Sequence, residues 1–233
     1  MSSTQIFRLY QLVFDSRRYL LEMLEDRGFD VDHLKNYSSD EIKTMLDEHS
    51  SNKFGILSDV GPLDIFLEKE LTGGGSAVEK VFVKYRLEER FKDTTSINNQ
   101  INEIFEKHLT KKDTLIIINI NRLLMKIAVK EKPDEDFVND LYIRKGYFVQ
   151  LFGLENFLFN VSRHQFVPKH RVMSDQEVKD LLANYNITAD NIPTIKRDDP
   201  QAKYIGLRYR QICEIIGENI TSGVRPKYRL CIH

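Results

Sequence analysis

The stretch His164–Glu177, HQFVPKHRVMSDQE, sets two histidines, a lysine and an arginine around an apolar Phe-Val-Pro. Two imidazoles could ligate a metal ion. On an extended strand, however, His164 and His170 stand about 20 Å apart at ~3.3 Å per residue, and no neighbouring Cys, Asp or Glu completes a ligand set. Surface or hydrogen-bonded histidines are the expectation. Metal-dependent nuclease chemistry would need carboxylates and a lysine around Mg²⁺, with an acid two residues before the lysine on a strand. Lys84 follows Phe82, which cannot ligate a metal; Asp59, Glu79 and Asp113 are left as stray acids and are expected to be solvated surface charges. The glycines of Thr72–Ala77, TGGGSA, lack the following Lys-Ser/Thr and the G-x-G-x-x-G spacing that cradle phosphates, so this is a loop. Cys213 and Cys231 each sit in an apolar run without a histidine beside them, which suits buried, inert thiols. No catalytic residue, metal or cofactor is expected.

The basic residues remain. Lys169, Arg171, Lys196, Arg197, Arg208, Arg210, Arg225, Lys227 and Arg229 concentrate near the C-terminus and alternate with apolar residues. A positive, half-apolar module without a catalytic set docks on something, either an acidic protein surface or nucleic acid. The bland alternative is a solvated basic face.

The elements that carry these residues follow from periodicity. Apolar residues at Ile6, Leu9, Tyr10, Val13, Leu20, Leu21 and Leu24 predict a helix over 5–27, stopped by Gly28. Ser38 with Glu41 forms a capping box ahead of a helix over 39–49. Strands are expected at Val78–Tyr85, Thr114–Ile120, Leu123–Val129 and Tyr147–Phe152, with a helix over Ser96–Leu109; the charged Lys130–Asp140 reads as loop or exposed helix. Phe166–Val172 is extended, and Pro168 argues for an edge strand. Ser174 with Glu177 opens a helix over Asp175–Asn184, and Asp199-Pro200 opens a short one to Tyr204. Ile212–Ile216 and Tyr228–Ile232 read as strands around a Thr221-Ser222-Gly223 turn.

Composition sets outer limits. A chain of 233 residues with 41% hydrophobic content holds one large domain or two small ones. Residues 1–160 carry 22 Lys and Arg against 27 Asp and Glu, net −5, whereas 161–233 carry 12 against 8, net +4, a sign change that hints at two units. Two cysteines are too few for a disulfide framework and suit a reducing compartment. The N-terminus lacks a signal-peptide pattern, and the longest apolar run, Leu115–Ile118, falls far short of the ~20 residues of a membrane span. No membrane partner is expected.

The C-terminal part resembles a known family. Val167-Pro168-Lys169-His170-Arg171 with Ser174 and Glu177, then Leu181-Leu182 and Tyr185, Ile192-Pro193-x-Ile195, Asp199-Pro200-x-x-x-Tyr204-x-Gly206-Leu207-Arg208, Thr221-Ser222-Gly223 and Tyr228-Arg229-x-Cys231 run in order over about 70 residues. They are similar to the assembly module of the fifth subunit of eukaryotic RNA polymerases and to the archaeal counterpart of that subunit. The resemblance implies a small mixed sheet that locks onto the largest polymerase subunit at the lower jaw, near the small omega-like subunit. It places partner-binding residues at Pro168, Lys169, His170, Arg171, Tyr204, Gly206, Leu207, Arg208, Tyr228 and Arg229.

Residues 1–155 match that family in outline only, where it carries a jaw with a nuclease-like α/β fold that has lost its catalytic acids. Leu24-Glu25-Asp26-Arg27-Gly28-Phe29 resembles the exit of the family's first helix. The family's Thr-Pro-Ser-Ala turn is replaced by Asn121-Arg122-Leu123-Leu124 before Met125-Lys126, so a contact to downstream duplex DNA there would rest on Arg122 and Lys126 alone, through phosphate charge. Residues 130–146 read as an insertion. Where the family has Lys-Arg-Gly, this chain has Arg208-Tyr209-Arg210; without the glycine's access to positive φ, an altered turn or shifted strands are expected. A faithful tail with a diverged jaw suits a large DNA virus or a divergent protist.

The resulting expectation is an α+β protein with a nuclease-like jaw domain at 1–155 and a mixed-sheet assembly domain at 156–233. It would be a non-catalytic polymerase subunit in the nucleus, or in the virion or host cytoplasm if viral. A metal-dependent nuclease and a free-standing transcription adaptor are the alternatives.

Overall fold

The computed structural model describes residues 3–51, 60–70, 78–86, 94–119, 134–219 and 223–232. The chain forms two compact units, Met1–Phe159 and Asn160–His233. The sequence places the boundary at 155/156.

The N-terminal unit contains α1 (Ser3–Asp26), α2 (Ser39–Ser51), β1 (Ile65–Glu70), β2 (Val78–Arg86), α3 (Thr94–Lys107), β3 (Thr114–Asn119), α4 (Asp134–Lys145) and β4 (Phe148–Gly153). The sheet order is β1-β2-β3-β4, antiparallel between β1 and β2 and parallel across the other two pairs. Strand β3, TLIIIN, lies between two parallel neighbours and is buried on both faces, which is why it reads as a continuous apolar run rather than an alternation. Phe82, Leu115, Ile117 and Val149 face a core shared with Ile97, Ile101 and Ile104 of α3 and with Val138 and Leu141 of α4. On the opposite face, Gln150 of β4 accepts a hydrogen bond from Arg27, just past the end of α1. Helix α1 stops where expected: Gly28 takes φ +87°, and the Phe29 N–H donates back to the Leu24 carbonyl. Ser38 and Glu41 exchange the capping-box hydrogen bonds that open α2.

Two expectations need correction here. Strand β1 is absent from them: Ile65 and Leu67 point in and Phe66 and Glu68 out, too short an alternation to register beside its charged neighbours. The charged segment Lys130–Asp140, expected to be loop or exposed helix, is helix where it is described, as part of α4, but not an exposed one. That helix buries Val138 and Leu141 and makes the crossover that parallel β3 and β4 require. The strand expected at Leu123–Val129 lies outside the described residues.

The C-terminal unit contains β5 (Lys169–Val172), α5 (Asp175–Tyr185), β6 (Thr194–Lys196), α6 (Pro200–Tyr204), β7 (Ile212–Asn219) and β8 (Gly223–Ile232). The sheet order is β5-β7-β8-β6, mixed because β6 runs parallel to β8. Strand β5 is an edge, as Pro168 suggests. Helix α5 packs Leu181 on Ile212 and Leu230 of one face. Ala202 of α6 and Leu207 beyond it pack on Cys213 and Cys231 of the other. Asp199 caps α6, accepting from the N–H groups of Gln201 and Ala202 at 2.8 and 3.3 Å. The missing glycine has a different outcome from the one expected. Arg210 itself takes the left-handed conformation, φ +68°. Its N–H donates to the Cys231 carbonyl at 3.0 Å, and its guanidinium reaches Asp190 at 2.6 Å.

Candidate docking surface

The face of the C-terminal sheet that carries α6 is only partly covered by it. Beside the helix lies an open groove of 730 Å³, walled by Pro168, His170, Ile195 and Ile215, with Arg229 and the 80%-exposed ring of Phe166 at its margin. Strand register builds it: His170 of β5 lies opposite Ile215 of β7, which lies opposite Lys227 of β8. One pair along, Val172, Cys213 and Arg229 line up in the same way. Since side chains two apart on a strand share a face, Arg225, Lys227 and Arg229 form one row along the groove side of β8.

The basic residues divide into two sets. Arg171 bridges Glu177 at 2.8 Å and Glu214 at 2.6 Å, tying β5 to α5 and β7. Arg210 holds Asp190. Arg225, Lys227 and Arg229, by contrast, carry no ion pair or side-chain hydrogen bond among the described residues. The backbone N–H of Ser174, its hydroxyl and then Arg171 hold the Glu177 carboxyl below its ordinary range.

Of the ten residues singled out from the sequence, the fold brings Pro168, His170 and Arg229 to the groove. Lys169, Arg171 and Tyr228 alternate to the α5 face, where Tyr228 packs with the α5 core and burial raises its pKa. Tyr204, Gly206, Leu207 and Arg208 form the exit of α6. The Tyr204 hydroxyl accepts from the Asn160 amide at 3.0 Å, Gly206 takes φ +68°, the Arg208 N–H donates to the Gln211 side chain at 2.8 Å, and Leu207 is wholly buried. Leu207 is therefore core, not contact surface. Reading the sequence by motif misses Phe166 and Ile215 as groove residues.

The candidate chemistry of the sequence is absorbed by structure. His170 hydrogen-bonds the Pro168 carbonyl, and the His164 ring accepts from the Phe166 N–H. Both cysteines are buried, and desolvation pushes Cys213 up to about 11 and Cys231 up to about 12. In the N-terminal unit, Asp113 is not a solvated charge. It is buried and accepts from the N–H groups of Lys80 and Thr110 and from the Thr110 hydroxyl. Glu79 pairs with Lys69 at 3.0 Å, and Asp59 lies outside the described residues, as do Arg122 and Lys126. The acid that faces Lys84 is Asp64, which the sequence reading does not single out. The two meet at 2.6 Å with side chains 1% and 0% exposed. Asp64 also accepts from the N–H groups of Gly61 and Tyr85, so three donors occupy the oxygens a cation would need. Phe82 stands beside Lys84 where a second carboxylate would have to be.

Comparison with known proteins agrees with the C-terminal unit. The family described as RNA polymerase Rpb5, C-terminal domain, matches residues 159–231. The DNA-directed RNA polymerase subunit Rpo5 of Pyrococcus abyssi is 40% identical over 74 residues, 32% of this chain and 90% of that protein. The chain belongs to the Rpb5 family of RNA polymerase subunits. Subunit RPABC1 of RNA polymerases I, II and III from Caenorhabditis elegans is similar across both units, at 25% identity over 231 residues, 98% of this chain and 97% of that one. Its Caenorhabditis briggsae counterpart is 31% identical over 115 residues, 49% of this chain and 54% of that one. The Rpb5 match spans the groove, the cation row and all ten residues named from the sequence.

Proposed function

We propose that this Rpb5-family subunit works as a non-catalytic scaffold of a multi-subunit DNA-directed RNA polymerase. The C-terminal unit anchors the chain to the largest polymerase subunit beside the small omega-like subunit, and the N-terminal unit reaches toward downstream duplex DNA. The observation that carries this reading is the groove: an apolar wall beside cations that carry no ion pair among the described residues, inside the segment that is 40% identical to an archaeal polymerase subunit. Such a surface is unfavourable to leave in water and is completed by a partner. The occupied oxygens of Asp64 support assigning phosphodiester chemistry to other subunits. The net charge of −5 over residues 1–160 argues for local rather than broad contact with DNA, with Arg122 and Lys126 as the proposed phosphate contacts. Eukaryotic relatives support a nuclear location; a viral source would move it to the virion or the host cytoplasm.

The test is a pull-down through a tag on the full chain, with mass spectrometry of the partners. A subunit co-purifies with the largest polymerase subunit at one copy through high salt, whereas a transient adaptor washes away. Arg208→Glu and Tyr204→Ala are expected to weaken this retention, and Arg122→Ala to leave it intact.

A further inference from the structure

We propose that the row Arg225, Lys227 and Arg229 on β8 receives an extended polypeptide segment of another polymerase subunit that carries acidic side chains at every second position. The proposal rests on the scaffold reading above and names what fills the groove. The three cations face one side at a two-residue spacing of about 6.7 Å. An extended peptide presents its own alternate side chains with the same period, so three carboxylates in register would meet three cations. Arg225 and Lys227 are exposed, and none of the three is engaged in an ion pair within the described fold, unlike Arg171 and Arg210.

The wall beside the row decides between a polypeptide and nucleic acid. Opposite the cations on β7 stand Gly217, Ile215 and Cys213. Gly217 presents no side chain, and a Cβ there would lie 3.5 Å from Pro168. Ile215, with Phe166, Pro168 and Ile195, gives the groove an apolar wall beside Arg229. A phosphate backbone would satisfy the cations and leave that wall wet; a protein partner brings apolar side chains against it as well. The far end of the groove fixes polarity across it. Asp199 is engaged in capping α6, and Asp198 lines the groove together with Lys196, so no positive row is gathered there as it is on β8. The carboxylates of the segment therefore lie on the β8 side.

The experiment uses the polymerase purified through a tag on the full chain. A zero-length carbodiimide reagent, which joins an amine to a carboxylate in direct contact, should link Lys227 to an Asp or Glu in a polymerase subunit segment with acids at alternate positions. Acylation of free amines should label Lys227 in the isolated chain and spare it in the complex. The double variant Arg225→Glu/Lys227→Glu should melt like the wild type, since both positions are exposed, and should bind the rest of the polymerase about tenfold more weakly at low salt, a difference that shrinks as salt rises. If the wild type co-purifies but the double variant is retained equally well at low salt, or Lys227 cross-links to nucleic acid under ultraviolet light, the β8 row is not the seat of such a segment and the scaffold reading stands. If the wild type itself fails to co-purify, the scaffold reading falls and this proposal with it.

Discussion

The two units handle charge in opposite ways. In the N-terminal unit the conspicuous ionic groups are turned inward: Lys84 on Asp64, Arg17 on the Leu63 carbonyl, Asp113 on a cluster of N–H groups. In the C-terminal unit a row of cations is held outward on β8, while the neighbouring arginines 171 and 210 are engaged in local ties. A buried ion pair adds little net stability, because desolvation offsets its attraction, but breaking it is strongly destabilising. A row that carries no ion pair among the described residues adds no salt bridge to the isolated fold and is available for binding. Charge therefore fixes the shape of the first unit and advertises the surface of the second.

The sharpest way to break this contrast is Lys84→Met. Asp64 would be left as a buried, uncompensated carboxylate, and the expected loss is about 3–5 kcal/mol in urea unfolding of the N-terminal unit. The double variant Lys84→Met/Asp64→Asn should recover part of that loss: the buried charge is gone, but the single amide oxygen replaces only one of the two carboxylate oxygens to which the Gly61 and Tyr85 N–H groups donate. If the single variant melts like the wild type, the pair is ornamental and the contrast fails. On the other side, Leu207→Ala removes a wholly buried side chain packed on Cys213 and Cys231, at an expected cost of about 2–5 kcal/mol. Polymerase retention by this variant should fall in step with its melting. The double variant on β8 should lose retention without losing stability, and that separation is what distinguishes core from contact within the C-terminal unit.

Arg210→Gly has a smaller effect of the opposite sign. Arg210 holds φ +68°, a conformation disfavoured for a side chain with a Cβ and free for glycine. Relief of that strain should raise the melting temperature of the C-terminal unit by a few degrees, offset in part by loss of the exposed contact to Asp190. A lowered melting temperature would mean that the ion pair, not the backbone, sets the stability of this turn.

How much of this is legible in the sequence depends on the range of the interaction. Both capping boxes, the Asp199-Pro200 helix start, the Gly28 stop and the edge character of β5 are local, decided by residues within a few positions of each other, and they read directly from the sequence. Strand β1 and the buried face of helix α4 do not. Their identity comes from distant partners: β1 acquires its strand through pairing with β2, and α4 acquires its buried face from Val149 and the α3 core. Asp64 escapes for the same reason, since it is 20 positions from Lys84 and next to no motif. In the candidate site, family motifs point to the correct unit, but they mix the buried Leu207 and the locally paired Arg171 with the exposed groove residues. Motif order carries no face information. The Arg-x-Lys-x-Arg period on β8 does, and it is present in the sequence itself.

The smallest expected effect separates the local ties from the outward row by pH. Glu177 accepts from the Ser174 N–H and hydroxyl and pairs with Arg171, which together depress its folded pKa below the unfolded value. A depressed carboxylate contributes stability that is present above its unfolded pKa and is lost as pH falls through the lower, folded one. The start of α5 and its tie to β5 should therefore hold through neutral pH and loosen only on the acid side of the ordinary glutamate range. Hydrogen exchange at the amides of Asp175–Val178, followed from about pH 6 downward (each rate corrected for intrinsic exchange), reads this directly. Glu177→Gln should abolish the acid dependence while preserving the cap geometry, because the Gln oxygen still accepts from Ser174. Binding that depends on the β8 row should weaken in acid as the partner's carboxylates titrate. If the acid loosening of α5 persists unchanged in Glu177→Gln, another group governs it, and Arg171 is not the local tie that the geometry assigns.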